Sequence, residues 1–116
     1  MHLSDSGFWI IYVLVTNGPT LLQTDLIRLT GRSKTTINSA LKKLEREGIL
    51  ELTAGRGRNT CVRLTEQGER LAEETVCRLV ALEDRIYESW SPEEQRMLIR
   101  LSRDYAEKLA ALVRTL

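Results

Sequence analysis

Apolar residues recur at helical spacing along most of this chain, and two short extended runs interrupt that pattern near its middle. Residues 8–15 are apolar on every face, Ser4 or Asp5 ahead of them can cap a helix, and Asn-Gly-Pro behind them can end it, which predicts a helix over about 5–16. We therefore expect a helix buried on all sides. Residues 20–30 repeat leucine and isoleucine at helical spacing and predict a second, shorter helix that Gly31 ends.

The helix predicted over residues 33–47 has two contrasting faces. Its apolar face carries Ile37, Ala40, Leu41 and Leu44. Its opposite face carries Thr35, Asn38, Ser39 and Lys42, with Lys43 at the edge. The centre of that face is polar and basic and contains no acid, whereas a merely solvated surface helix more often alternates acids with bases. Because only a very short turn joins this helix to the one before, the two must cross steeply, as in a helix-turn-helix.

Two strands are predicted directly after this helix, over residues 49–53 and 60–64. The tip between them reads Gly-Arg-Gly-Arg-Asn, and its polar side chains are Arg56, Arg58 and Asn59. Glycines let a backbone approach a ligand closely, and arginines suit phosphates or a narrow minor groove. An arginine-tipped hairpin behind a helix-turn-helix indicates a winged helix that binds duplex DNA.

The rest of the chain predicts one long helix from Thr65 to about Ser89 and a last helix from Ser91 to about Arg114. Both carry wide apolar stripes, and the winged half is too small to cover them. We expect a homodimer in which these helices interdigitate about a two-fold axis. The alternative is a helical hairpin folded back on its own domain.

Charge and composition narrow the class of protein. The net charge is +1, but residues 1–64 carry +4 and residues 65–116 carry −3, which suits a DNA-reading end and a separate assembly end.

Two cysteines and one histidine cannot build a zinc site, and we expect neither a metal nor a cofactor. The apolar run 8–15 is too short to span a bilayer and lacks a preceding cation, so we expect a cytoplasmic protein without a membrane partner. No catalytic constellation is present, which argues against an enzyme.

The order and spacing of these segments resemble the MarR family of bacterial and archaeal transcription regulators. The resemblance rests on residues 23–27, on 33–48, on the Leu-Thr-Glu-X-Gly signature within 62–68, and on the Ser-Pro-Glu-Glu helix start at 91–94. It implies a mainly α fold with a small β-wing: a winged helix-turn-helix followed by two long C-terminal dimerisation helices. We expect one MarR-like domain over 1–116, with a DNA-binding lobe at about 5–65 and a helical dimerisation region at about 66–116.

The resemblance also implies a further helix ahead of Ser4 that contributes to the dimer interface. Here only His2 and Leu3 could represent it, either because this is a short member or because the start is truncated. The family wing usually has an aspartate before its arginine, and Gly57 stands in that place. Arg58 is therefore expected to clamp phosphates more than to read sequence.

By this resemblance each chain of a dimer places the 33–47 helix in a major groove and the wing at the adjacent minor groove, on a pseudo-palindromic operator. Thr35, Asn38 and Ser39 are short enough to reach base edges, and asparagine can pair bidentately with adenine. The residues suited to phosphates are Arg32, Ser33, Lys34, Thr36, Lys42 and Lys43. We expect a repressor, and the alternative is a winged-helix module that binds another protein instead of DNA.

Members of the family commonly release DNA when an aromatic acid binds between the lobe and the dimer helices, or when a cysteine oxidises. The residues considered for a ligand cleft are Trp9, Tyr12, Leu79 and Trp90, and a plain core role is the simpler interpretation of them. The redox candidates are Cys61 on a wing strand and Cys77, which Arg78 follows. A structural role is again the simpler interpretation of Cys77.

Overall fold

A computed structural model of the chain describes residues 3–54 and 60–116. It contains, in order, α1 (Asp5–Asn17), β1 (Thr20–Leu22), α2 (Gln23–Thr30), α3 (Lys34–Arg46), β2 (Leu50–Ala54), β3 (Thr60–Leu64), α4 (Glu66–Glu74), α5 (Val76–Glu88) and α6 (Pro92–Val113). The chain forms two units, Met1–Val80 and Ala81–Leu116. The first holds the three-stranded antiparallel sheet, in the order β1-β3-β2, and the helices packed around it. This confirms the mainly α fold with a small β-wing.

Helix α1 begins at Ser4, whose hydroxyl accepts a hydrogen bond from the Gly7 amide at 3.1 Å. It ends at Gly18, where φ is 119°, a value that glycine adopts without strain. The expectation that this helix is buried on all sides is wrong. One face lies in the core, while four apolar side chains are only half-buried: Phe8, Trp9, Tyr12 and Val15.

The segment predicted as one helix over residues 20–30 divides into strand β1 and helix α2. Thr20, Leu21 and Leu22 pair with β3 opposite Arg63, Val62 and Cys61. The three β1 residues are thus extended by a tertiary pairing that local helical spacing cannot reveal. Leu29, counted in the apolar repeat, is 40% exposed, and Leu26 is the fully buried residue of α2.

The turn between α2 and α3 has the expected chemistry. Gly31 adopts the left-handed conformation at φ 68°, and its amide donates to the Arg28 carbonyl. Ser33 caps α3 and accepts from the Thr36 amide at 3.2 Å. The inward face of α3 packs into the core through Ile37, Leu41 and Leu44, none of which is more than 4% exposed. Burial of this face fixes which side chains α3 presents outward.

Thr65 links the turn that follows α3, at Gly48 and Ile49, to the start of α4. Its amide donates to the Ile49 carbonyl at 3.0 Å, and its hydroxyl donates to the Gly48 carbonyl at 2.5 Å. The same hydroxyl oxygen accepts from the Gly68 amide at 3.0 Å and so caps α4. Gly68 lies so close that a Cβ there would stand 2.1 Å from the Ile49 oxygen. These contacts explain why the Leu-Thr-Glu-X-Gly spacing closes the wing.

The single long helix predicted from Thr65 to about Ser89 is wrong, because α4 and α5 are separate helices. Thr75 interrupts them with φ −124° and ψ −83°. Its hydroxyl donates to the Leu71 carbonyl at 2.7 Å, and a β-branched residue with a hydroxyl can supply such an alternative to helical pairing. Val76, the next residue, is fully buried and holds the start of α5 on the first unit's core.

In the second unit, α6 begins with the predicted Ser91-Pro92 start. Ser91 accepts from the Glu94 amide at 3.2 Å, and Glu94 accepts from the Ser91 amide at 2.9 Å, which is a capping box. No residue of α6 is buried. Its apolar stripe is therefore open, with exposures of 40–69% at Leu98, Leu101, Tyr105, Leu109 and Leu112.

Candidate nucleic-acid interface

The outward face of α3 carries the side chains predicted to read DNA. Thr35, Ser39 and Lys42 are exposed, and Asn38 between them is half-buried. They share this face because the buried residues Ile37, Leu41 and Leu44 occupy the opposite side. The face is free of acids, since the acidic residues of this segment come only at its far end.

The start of α3 combines exposed donors with the positive end of the helix dipole. The Ser33 hydroxyl donates to the Thr36 hydroxyl at 2.7 Å while it accepts from the Thr36 amide. The Thr36 hydroxyl donates to nothing in the part of the chain that the structure describes, and Lys34 beside it is exposed. This arrangement suits an anion such as a phosphate at the helix N-terminus.

Three lysines of α3 stand without an ion partner among the described residues: Lys34, Lys42 and Lys43. Elsewhere in the first unit, by contrast, three arginines are paired with acids: Arg28, Arg63 and Arg70. Arg63 contacts Glu51 across the sheet at 2.6 Å, and Arg28 contacts Asp25 at 3.5 Å. Three lysines without an ion partner in the described lobe therefore lie together on the helix that would meet phosphates.

Asn38 has a partner that the sequence did not single out. The Gln23 side-chain amide donates from Nε2 to Asn38 Oδ1 at 2.5 Å, and both side chains are half-buried. The contact links the first residue of α2 to the second turn of α3. No local periodicity signals a pair 15 residues apart, because the steep crossing of the two helices creates it.

The wing consists of β2 and β3 in the register Leu50↔Leu64, Leu52↔Val62 and Ala54↔Thr60. The strands run as predicted, except that β2 covers Leu50–Ala54 instead of 49–53. The three predicted tip residues, Arg56, Arg58 and Asn59, lie outside the described residues.

Arg32 belongs both to the α3 start and to a cavity of about 390 Å³ in the first unit. Its guanidinium carbon lies 5.7 Å from the Trp9 ring centroid, a cation–π contact. Trp9 in turn packs edge-on against Tyr12, with centroids 5.1 Å apart. The cavity is lined by Trp9, Tyr12, Val13, Thr16, Asn17, Leu29, Thr30 and Arg32. It therefore brings two of the four predicted ligand residues together beside a cation.

The other two predicted ligand residues are not among the side chains of this cavity. Leu79 lies half-buried in α5, and Trp90 belongs to the second unit, where its ring lies 6.3 Å from that of Tyr87. The cysteines are free thiols and half-buried: Cys61 lies in β3, and Cys77 packs against the core of the first unit.

Comparison with known proteins identifies the class that this architecture defines. A sequence model of the MarR family matches residues 3–58. A MarR family regulator from Neisseria meningitidis is 21% identical, with a TM-score of 0.80 over 96% of this chain and 79% of that one. NadR, solved in complex with 4-hydroxyphenylacetate, is 28% identical, with a TM-score of 0.73 over 89% of this chain and 74% of NadR. No curated protein sequence matches the chain.

A structure solved on DNA has the same fold. FabT of Streptococcus pneumoniae, in complex with DNA, is 20% identical, with a TM-score of 0.70 over 95% of this chain and 78% of FabT. The fold is that of a winged helix-turn-helix regulator, and residues 3–58 of the chain match the MarR family. Members of this family are transcription regulators and not enzymes. No helix in the described part of the chain combines the length and the hydropathy that a membrane crossing requires.

Proposed function

We propose that this chain is a sequence-specific DNA-binding transcription regulator, a cytoplasmic repressor that acts as a homodimer on a pseudo-palindromic operator. The observation that carries the proposal is the outward face of α3, which is acid-free at its centre and bears lysines without ion partners in the described structure. A helix with that face, presented by a winged helix-turn-helix, suits a major groove.

The side chains divide between bases and phosphates. Thr35 and Ser39 are short and exposed, so they reach base edges, and the Thr35 methyl group can pack on a thymine methyl group. The long cations Lys34, Lys42 and Lys43 contact phosphates, where they fix the position of the helix without reading sequence. Ser33, Thr36 and Arg32 add phosphate contacts at the α3 start. At the tip of the wing, the sequence assigns the DNA contacts to Arg56, Arg58 and Asn59.

The dimer forms through the C-terminal helices. The apolar stripe of α6 includes Tyr105, Leu109 and Leu112, which are 69%, 47% and 65% exposed. A continuous apolar stripe of this kind normally marks an interaction surface. A second copy of the chain is its proposed partner, and two-fold symmetry then places two α3 helices on half-sites about one helical turn apart.

An aromatic acid is the proposed effector, and the cavity beside Trp9 is its proposed site. NadR was solved with 4-hydroxyphenylacetate, which has an aromatic ring and a carboxylate. Here Trp9 and Tyr12 offer ring contacts, and Arg32 offers a partner for the carboxylate. Because Arg32 also adjoins the α3 cap, a bound carboxylate would withdraw that cation from the DNA. Oxidation of Cys61 or Cys77 is the alternative trigger, to be sought by mass spectrometry after mild peroxide.

The test is selection of genomic fragments bound by the purified protein, followed by affinity measurements on the enriched fragment. Lys42→Glu should weaken binding at least about tenfold, because it reverses a charge at the phosphates. Arg70→Glu is the matched control, since it makes the same charge change on α4, where the exposed Arg70 pairs with Glu66. Enrichment of no fragment, or equal losses in both variants, would contradict the proposal and favour a module that binds protein.

A further inference from the structure

The bond between Gln23 and Asn38 decides what Asn38 can recognise. The Gln23 amide nitrogen lies 2.5 Å from Asn38 Oδ1, and both side chains are half-buried where α2 crosses α3. Asn38 Nδ2 donates to nothing among the described residues. Asn38 lies one helical turn from the exposed Thr35 and next to the exposed Ser39, so its unbonded amide nitrogen shares the DNA-facing side of α3.

A side-chain amide has an accepting oxygen and a nitrogen with two hydrogens to donate. Bidentate pairing with adenine uses both, because the oxygen accepts from the adenine amino group while the nitrogen donates to N7. Gln23 engages the oxygen in this structure and holds the amide plane. Because this bond turns the oxygen toward α2, the group that Asn38 offers to the groove is its nitrogen with two hydrogens to donate. Guanine presents two acceptors there, N7 and O6, whereas adenine presents one acceptor and one donor.

We propose that Gln23 is a specificity-determining positioning residue, which orients Asn38 to read guanine instead of adenine at one base pair of each half-site. The inference rests on the proposed function and deepens it. It replaces the adenine pairing expected from the sequence, which requires the oxygen and the nitrogen to face the base together, whereas the bond to Gln23 turns the oxygen toward α2. Gln23 acts through Asn38 and need not touch the DNA.

The experiment is selection from a randomised duplex library by wild-type protein and by variants, read by sequencing. Asn38→Ala identifies the base pair that Asn38 reads. Wild-type protein should prefer guanine there by about five- to 150-fold, the range of one good base contact. Gln23→Leu keeps the bulk but removes the donor, so Asn38 can pair bidentately and the preference should move to adenine. Thr24→Ala, an exposed neighbour on α2, is the matched control and should keep guanine.

Gln23→Glu gives a second, independent prediction. A carboxylate only accepts, so Asn38 must turn its nitrogen toward residue 23 and its oxygen toward the groove. The preference should then move to bases with an amino donor, adenine or cytosine. Adenine at this pair in the wild-type selection, or guanine retained by both Gln23 variants, would overturn the inference while leaving DNA binding intact. Failure of wild-type protein to enrich any motif would instead overturn the proposed function, and the inference with it.

Discussion

Replacing Gly68 by alanine should destabilise the protein, although a glycine-to-alanine change inside a helix usually stabilises. Gly68 lies in the first turn of α4, where its amide donates to the Thr65 hydroxyl. An alanine Cβ would stand 2.1 Å from the Ile49 carbonyl oxygen and 3.1 Å from Leu64 Cδ2. The oxygen cannot move aside freely, because it already accepts from the Thr65 amide at 3.0 Å.

The magnitude follows from three contributions to the free energy of unfolding. Alanine gains about 0.5–1 kcal/mol over glycine within a helix. Forcing an extra carbon into a packed site costs about 1–3 kcal/mol. Displacing the Ile49 carbonyl weakens its hydrogen bond with Thr65, at about 1 kcal/mol. The net expectation is that the free energy of unfolding falls by about 1–3.5 kcal/mol, whereas helix propensity alone would raise it.

Urea unfolding followed by circular dichroism, at one protein concentration, measures this change. Gly7→Ala is the matched control, because Gly7 is also a buried helical glycine but its nearest neighbours are side-chain atoms of Leu3 and Ser4 at 3.1 and 3.2 Å. Those side chains can adjust, so the control should remain within about 1 kcal/mol of wild type. A Gly68→Ala protein as stable as wild type, or more stable, would refute the close packing of α4 on the α3–β2 turn.

Three further outcomes are expected. Thr65→Val should lower the free energy of unfolding by about 2 kcal/mol, because it removes the cap of α4 and the hydrogen bond to the Gly48 carbonyl. An unchanged urea midpoint would contradict this. Leu109→Arg should sediment as a monomer, while Glu107→Arg, off the apolar stripe, should remain a dimer; a dimeric Leu109→Arg protein would reject the α6 interface. Trp9→Ala, compared with its own operator affinity in the absence of effector, should resist release by 4-hydroxyphenylacetate. Equal release of both proteins would reject the cavity as the effector site.

The elements with strong local signals were predictable from the sequence. Ser33 and Ser91 are the first residues of two predicted helices, and each caps its helix, since an N-cap depends on only a few consecutive residues. The outward face of α3 followed from helical geometry once its apolar residues were assigned to the core. The start of a helix at Thr65 was equally predictable from the sequence. In each case a short-range rule and the tertiary packing favour the same structure.

The elements that were missed depend on contacts distant in sequence. Strand β1 exists because residues 20–22 pair with β3, about 40 residues away, and no local pattern shows that pairing. The break at Thr75 competes with strong helical spacing on both sides. Gln23 was passed over as a site residue for the same reason as β1, because its role comes from the crossing of α2 and α3.

The affinity of wild-type protein for its selected operator, compared with a shuffled duplex of the same composition at physiological salt, tests the central claim most directly. Specific recognition by the α3 face predicts binding at least about 10³-fold tighter to the operator, with two chains per duplex. Equal affinity for both duplexes would show that the lysines of α3 hold phosphates without any reading of sequence, and would contradict the account.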